Sequence, residues 1–137
     1  MIQIICGEKG KGKTKFVLQN ANDAVANAQG TIVYVDKSSK NMFELNNQIR
    51  LINITEYPIN TYEGFVGFIS GLLSGNHDIE CVFVDSLLKV AHVEGAELSD
   101  VIKTLDSINP DVKFVLSISL SEADLPADVK DKVIVSC

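Results

Sequence analysis

Short apolar runs alternate along this chain with longer stretches in which apolar residues recur every three or four positions. The short runs are Ile2 to Cys6, Thr31 to Asp36, Ile49 to Ile54, Ile79 to Asp85, Lys113 to Ser119 and Lys132 to Ser136. They are rich in β-branched residues and have the length of buried strands. The longer stretches read as helices. Lys13 to Ala28 places Phe16, Val17, Ala21, Ala24, Val25 and Ala28 on one face, and Gly30 supplies a stop. Residues 60–76 carry Phe65, Val66, Ile69, Leu72 and Leu73, with Asn60 and Glu63 as an opening cap and Asn76 at the end. Glu97 to Ile108 turns Leu98, Val101, Ile102, Leu105 and Ile108 inward and halts at Asn109-Pro110. This alternation predicts an α/β fold, a three-layer, doubly wound and mainly parallel sheet of about six strands, in one unit spanning residues 1–137. Ligands of such sheets sit at the carboxyl ends of the strands.

Chemistry enters where the first strand ends. Gly7, Glu8, Lys9, Gly10, Lys11, Gly12, Lys13 and Thr14 spell a full G-x-x-x-x-G-K-[ST] motif, with a strand before it and a helix after it. Glycines let backbone N–H groups curl around phosphate oxygens, and the following helix points its positive end at the same anion. Lys13 is expected to reach the β and γ phosphates and the charge that develops there. Thr14 is expected to ligate a Mg2+ ion bridging them. Ile79 to Asp85 is a nearly continuous apolar strand ending in a carboxylate, the form of the second metal motif in phosphate-loop proteins, which makes Asp85 the partner of Thr14. Gly7, Asp36, Asp85 and Ser119 all fall at the predicted carboxyl edge and are expected to surround one nucleotide.

The bulk properties narrow the field. Net charge is −6, and the one basic cluster, Lys9, Lys11, Lys13 and Lys15, lies in and beside the phosphate loop. A nucleotide accounts for those lysines, so DNA is not an expected partner. No apolar run reaches the length of a membrane span, and a cytoplasmic location is expected. Cys6, Cys81 and Cys137 lack metal-site spacing and are expected to be reduced, buried thiols; His77 and His92 also lack ligand spacing. Gly64, Gly67, Gly71 and Gly75 form a bare stripe along the predicted 60–76 helix, expected to lie close on its own sheet, with a homodimer face as the alternative. The apolar residues Leu87, Leu88, Val90, Ala91 and Val93 are expected to tuck under the sheet edge, with a nucleotide-sensitive partner surface as the alternative.

Together the phosphate loop, the strand ending Val35-Asp36 and the segment Val84-Asp85-Ser86 resemble the core of RecA-like P-loop NTPases. The resemblance implies a strand order of 3-2-4-5-1-6 and makes Lys113 to Ser119 the sensor strand, with Ser119 a candidate sensor. It also exposes departures. The slots in which relatives of this kind carry a water-polarising glutamate hold Ser38 and Ser86, and the single arginine, Arg50, starts a strand. The DNA-binding loops of recombinases have no counterpart in the acidic link after Ser119. The resemblance therefore implies binding of ATP or another NTP with Mg2+, and weak or partner-activated hydrolysis, in a switch that answers to an unidentified protein partner. The alternatives are a module that holds nucleotide without turnover and a small-molecule kinase similar to thymidine kinase, whose four-cysteine zinc element this chain lacks.

Overall fold

The computed structural model describes residues 1–137. Its strands are β1 (Ile2–Cys6), β2 (Thr31–Asp36), β3 (Arg50–Asn53), β4 (Ile79–Val84), β5 (Lys113–Ile118) and β6 (Val133–Ser136). They form one sheet in the order β3-β2-β4-β5-β1-β6, and every neighbouring pair runs parallel. This is the α/β architecture and the strand order that the sequence led us to expect. The helices are α1 (Lys13–Val25), α2 (Tyr62–Gly75), α3 (Leu87–Val90), α4 (Leu98–Ile108) and α5 (Ala127–Lys130).

Alternation along the strands divides the core between the two faces of the sheet. Ile4 and Cys6, Val33 and Val35, Val82 and Val84, and Phe114, Leu116 and Ile118 point to one face. There they meet Phe65, Ile69 and Leu73 of α2 and Leu98, Val101, Ile102 and Leu105 of α4 in a cluster of 27 buried residues. Ile5, Ile32, Tyr34, Cys81, Phe83 and Val115 point to the other face, where α1 supplies Val17, Leu18 and Ala21 to a cluster of 11. Each fully buried Phe or Leu contributes roughly 1.5–3 kcal/mol relative to exposure. Leu87, Val90, Ala91 and Val93 are buried, so these four residues of the apolar run after Asp85 are tucked under the sheet edge as expected, whereas Leu88 is only partly buried and lines a cleft.

Three local readings are corrected. The cap of α2 is Thr61, whose hydroxyl accepts the Gly64 N–H at 3.0 Å, one residue later than Asn60. A threonine with extended backbone directly before the helix satisfies the N3 amide, which leaves Asn60 outside. The glycine stripe does not lie on the sheet: a Cβ built at Gly67, Gly71 or Gly75 meets nothing within 4 Å. Phe65, Ile69 and Leu73 take the sheet-facing side, so the stripe is turned to solvent. Cys137 is exposed, while Cys6 and Cys81 are buried as expected. Gly30, read as a helix stop, is also a point of close approach, since a Cβ there would collide with the Asp78 carbonyl oxygen. No helix is long and apolar enough to cross a membrane.

Candidate functional site

β1 lies between β5 and β6 and delivers the phosphate loop to the carboxyl edge of the sheet. The Gly7 N–H donates to the Leu120 carbonyl at 2.8 Å, and the Lys11 N–H donates to the Glu8 carbonyl at 3.2 Å, so the loop closes on itself. Gly10 and Gly12 hold φ of 85° and 83°, the left-handed region that favours glycine. A side chain would meet no atom at either position, so conformation rather than space requires glycine there. Gly12 is also the N-cap of α1 and offers no side chain to the first-turn amides. Those N–H groups are left free at the positive end of the helix, ready for an anion. Lys13 is buried, and its Nζ folds back across the loop to donate to the Glu8 carbonyl at 3.0 Å.

Asp85 sits just past the end of β4, 3% exposed, and collects hydroxyls from three elements. Thr14 Oγ1 donates to its Oδ2 at 2.9 Å, Ser117 Oγ donates to its Oδ1 at 2.7 Å, and the Tyr34 hydroxyl reaches Oδ2 at 3.5 Å. Because β5 lies between β4 and β1, its Ser117 stands between the carboxylate and the phosphate-loop side of the sheet. Burial, and then the nearby carboxylates Asp85 and Asp36, raise the Tyr34 hydroxyl far above its ordinary pKa, so it stays a neutral donor. Ser86 follows in the left-handed region at φ 63°, rare for a residue with a side chain. Its N–H donates to Ser117 Oγ at 2.7 Å, and its own Oγ accepts from Lys37 Nζ at 3.0 Å.

These groups surround a cleft of about 370 Å3 lined by Lys9, Gly10, Gly12, Lys13, Thr14, Lys37, Asp85, Ser86, Leu88, Lys89 and Ser119. Four of these are lysines and one is a carboxylate. The ion pairs of the molecule join the N-terminus to Asp106, Lys103 to Asp128 and Lys132 to Asp131, so no cleft lysine is paired with an acid. In a chain of net charge −6, this concentrates unneutralised positive charge in one place. The oxygen set of Thr14 and Asp85 suits Mg2+, which takes one or two protein oxygens together with substrate phosphates and water. No group of three or more His, Cys, Asp or Glu residues is placed to hold a metal ion.

The structure brings together most of the residues singled out in the sequence. Lys9, Gly10, Gly12, Lys13, Thr14, Asp85 and Ser119 line the cleft, whereas Gly7, Glu8 and Lys11 support the loop from outside it. Asp36 does not join them. It is buried beside the cleft, where its carboxylate accepts the Lys37 N–H at 2.7 Å and Asn41 Nδ2 at 3.3 Å. Burial raises its pKa, against the lowering effect of those hydrogen bonds. Ser117, Tyr34, Lys37 and Lys89 were missed by sequence reasoning. Ser117 left a signal, a hydroxyl inside an otherwise apolar strand; Lys89 left none, since it interrupts a run read as packing.

No protein-family model matches the chain, and no curated protein matches it. Among solved structures it is similar to the flagellar accessory protein FlaH from Methanocaldococcus jannaschii, with a TM-score of 0.61 and 15% sequence identity over 93% of this chain. The chain spans 64% of that protein's length. As 114 solved chains match in all, the scaffold is a recurrent one and function must be argued from the site. The likeness and the all-parallel sheet agree on the α/β fold.

Proposed function

We propose that the chain is a Mg-ATP-binding switch with weak or partner-activated NTPase activity. The observation that carries this reading is the cleft itself: four unpaired lysines and free helix-end amides facing a buried carboxylate that is hydrogen bonded to Thr14. Loop amides and Lys13 would hold the phosphates, with Lys13 exchanging the Glu8 carbonyl for phosphate oxygen. Thr14 and Asp85 would hold Mg2+, which supplies charge neutralisation at the bridging phosphates when bound. Lys37 and Lys89 add positive charge from this chain's own residues, the role for which Arg50, exposed on the β3 edge strand, is poorly placed. Ser119 stands at the cleft as a candidate sensor.

Slow turnover follows from the acid count. Asp85 is the single carboxylate lining the cleft and is engaged by three hydroxyls, so no second carboxylate is placed to orient water. That observation also favours the second reading, a module that holds nucleotide without hydrolysing it. A protein partner that completes the site distinguishes the first reading in physiology, and the solvent-facing glycine stripe of α2 is the surface we assign to self-association. DNA is disfavoured by the net charge.

Calorimetric titration of Mg-ATP and Mg-ADP tests the site. Binding should be in the micromolar range and fall by roughly 100-fold in Lys13→Ala, as expected for loss of a charge-assisted contact of up to about 3 kcal/mol. No binding to the parent chain would sink both readings. Single-turnover phosphate release that disappears in Lys13→Ala selects the NTPase over the holding module.

A further inference from the structure

Lys37 and Lys89 line a second cavity as well, of about 250 Å3, which adjoins the phosphate cleft through these two residues. Its remaining walls come from the turn after β3, which supplies Thr55, Tyr57 and Ile59, and from the turn after α3, which supplies His92. Two properties of the charged lining point to a ligand. The lining holds two ammonium groups and an imidazole but no carboxylate, although the chain has 18 acidic residues against 12 basic ones. Neither lysine is in an ion pair, so nothing in the protein neutralises them. Such a cavity favours an anion over any neutral or cationic occupant.

The apolar part of the lining is equally specific. Tyr57 is 48% exposed, yet its ring is held against Phe68 with centroids 5.6 Å apart. With Ile59 it contributes apolar surface to the same cavity as the cations. His92 reaches the cavity from a backbone at φ 55°, one of two non-glycine residues in the left-handed region; the other is Ser86 in the phosphate cleft. Backbone held in that region collects at functional sites, so both outliers lining adjoining cavities form one pattern.

We propose that this cavity is a second ligand site, for an aryl phosphate, and that its occupancy is coupled to the nucleotide through Lys37 and Lys89. The phosphate would sit between the lysines and His92, and the ring would lie on Tyr57 and Ile59. The coupling has a sign. A nucleoside triphosphate places more negative charge on the shared lysines than a diphosphate does, so the aryl phosphate should bind more tightly to the ADP form than to the ATP form. By linkage, the aryl phosphate should weaken triphosphate binding by the same factor. The coupling rests on the nucleotide reading of the phosphate cleft.

The test uses phenyl phosphate as probe, followed by NMR on the full chain in three states: alone, saturated with Mg-ADP, and saturated with a non-hydrolysable Mg-ATP analogue. Nucleotide is added first and without the probe. Absence of shifts at Lys13 and Thr14 at that stage overturns the nucleotide reading by itself, before the second site is queried. With the nucleotide bound, we expect saturable probe shifts at Thr55, Tyr57 and His92, with affinity at least threefold lower in the triphosphate state. Ile59→Trp, which fills the cavity from outside the phosphate cleft, should abolish the probe shifts and leave nucleotide affinity unchanged. His92→Asn, which tolerates the same backbone, should weaken the probe severalfold and guards against misfolding of the larger substitution. Probe shifts confined to residues 9–14, insensitivity to both variants, or equal affinity in the two nucleotide states would each overturn the proposal.

Discussion

One wall of the phosphate cleft comes from a single loop, through Lys9, Gly10, Gly12, Lys13 and Thr14, while the other is gathered from Lys37 after β2, Ser86 after β4, Lys89 on α3 and Ser119 after β5. The first wall offers amides fixed by glycine torsions and a helix end, and its geometry is set before any ligand arrives. The second offers ammonium groups on flexible stems, anchored only where Lys37 meets Ser86. Under the function proposed above, the contrast implies a division of labour: a preorganised wall would supply affinity for any phosphate chain, and a side-chain wall would respond to how much charge that chain carries.

The comparison breaks most severely at Ser117, the residue that supports the second wall from beneath. Ser117→Ala leaves the Ser86 N–H and one oxygen of Asp85 without their partner, and should cost about 1–3 kcal/mol of stability in urea unfolding. A cost near zero would mean that water replaces the hydroxyl and the wall does not depend on it. Next is Gly12→Ala, which adds a methyl group in open space but forces a strained torsion of about 1–2 kcal/mol. It should weaken Mg-ATP and Mg-ADP alike by roughly tenfold in calorimetry. Lys37→Ala should instead weaken Mg-ATP by about fivefold while changing Mg-ADP little. Equal losses for both nucleotides would erase the distinction between the walls.

The smallest effect concerns the residue behind that lysine. Burial raises the Asp36 pKa above 3.8, so the folded chain holds this proton more tightly than the unfolded chain does. Its contribution to stability is therefore present below that value and lost as pH rises through the folded pKa. Asp36→Asn removes the titration while keeping an oxygen for the Lys37 N–H. The stability of the parent relative to this variant should fall from acid to neutral pH, and a parallel pair of pH profiles would show that Asp36 titrates as it does in the unfolded chain. The hydrogen bonds from Lys37 and Asn41 favour the charged carboxylate and so oppose the effect of burial.

What the sequence reveals follows the same division. The backbone wall is contiguous, so its spacing is written in one eight-residue stretch, and the strands announce themselves by apolar runs whose alternation the two faces of the sheet reproduce. The strand order was carried by family resemblance and agrees with the sheet. The side-chain wall depends on register between strands that are distant in sequence. Lys37 and Lys89 are 52 positions apart and line one cleft because β2 and β4, which they follow, are neighbours in the sheet. Asp36 shows the converse failure, since a strand-end carboxylate is equally consistent with lining a cleft and with holding a loop from below. The glycines of α2 were misplaced because spacing defines a stripe but does not say which way it faces.

The sulfur of Cys137 gives the chain a ready-made handle beside the phosphate loop. Its Cβ lies 2.8 Å from where a side chain at Gly7 would begin, and it is the exposed member of the three thiols. Cys81 is pushed up to about 12 by burial, and burial also raises Cys6, so both resist alkylation at neutral pH. A maleimide dye would therefore mark one position without removal of the other cysteines. Placed there, its fluorescence would follow the filling and emptying of the loop in real time.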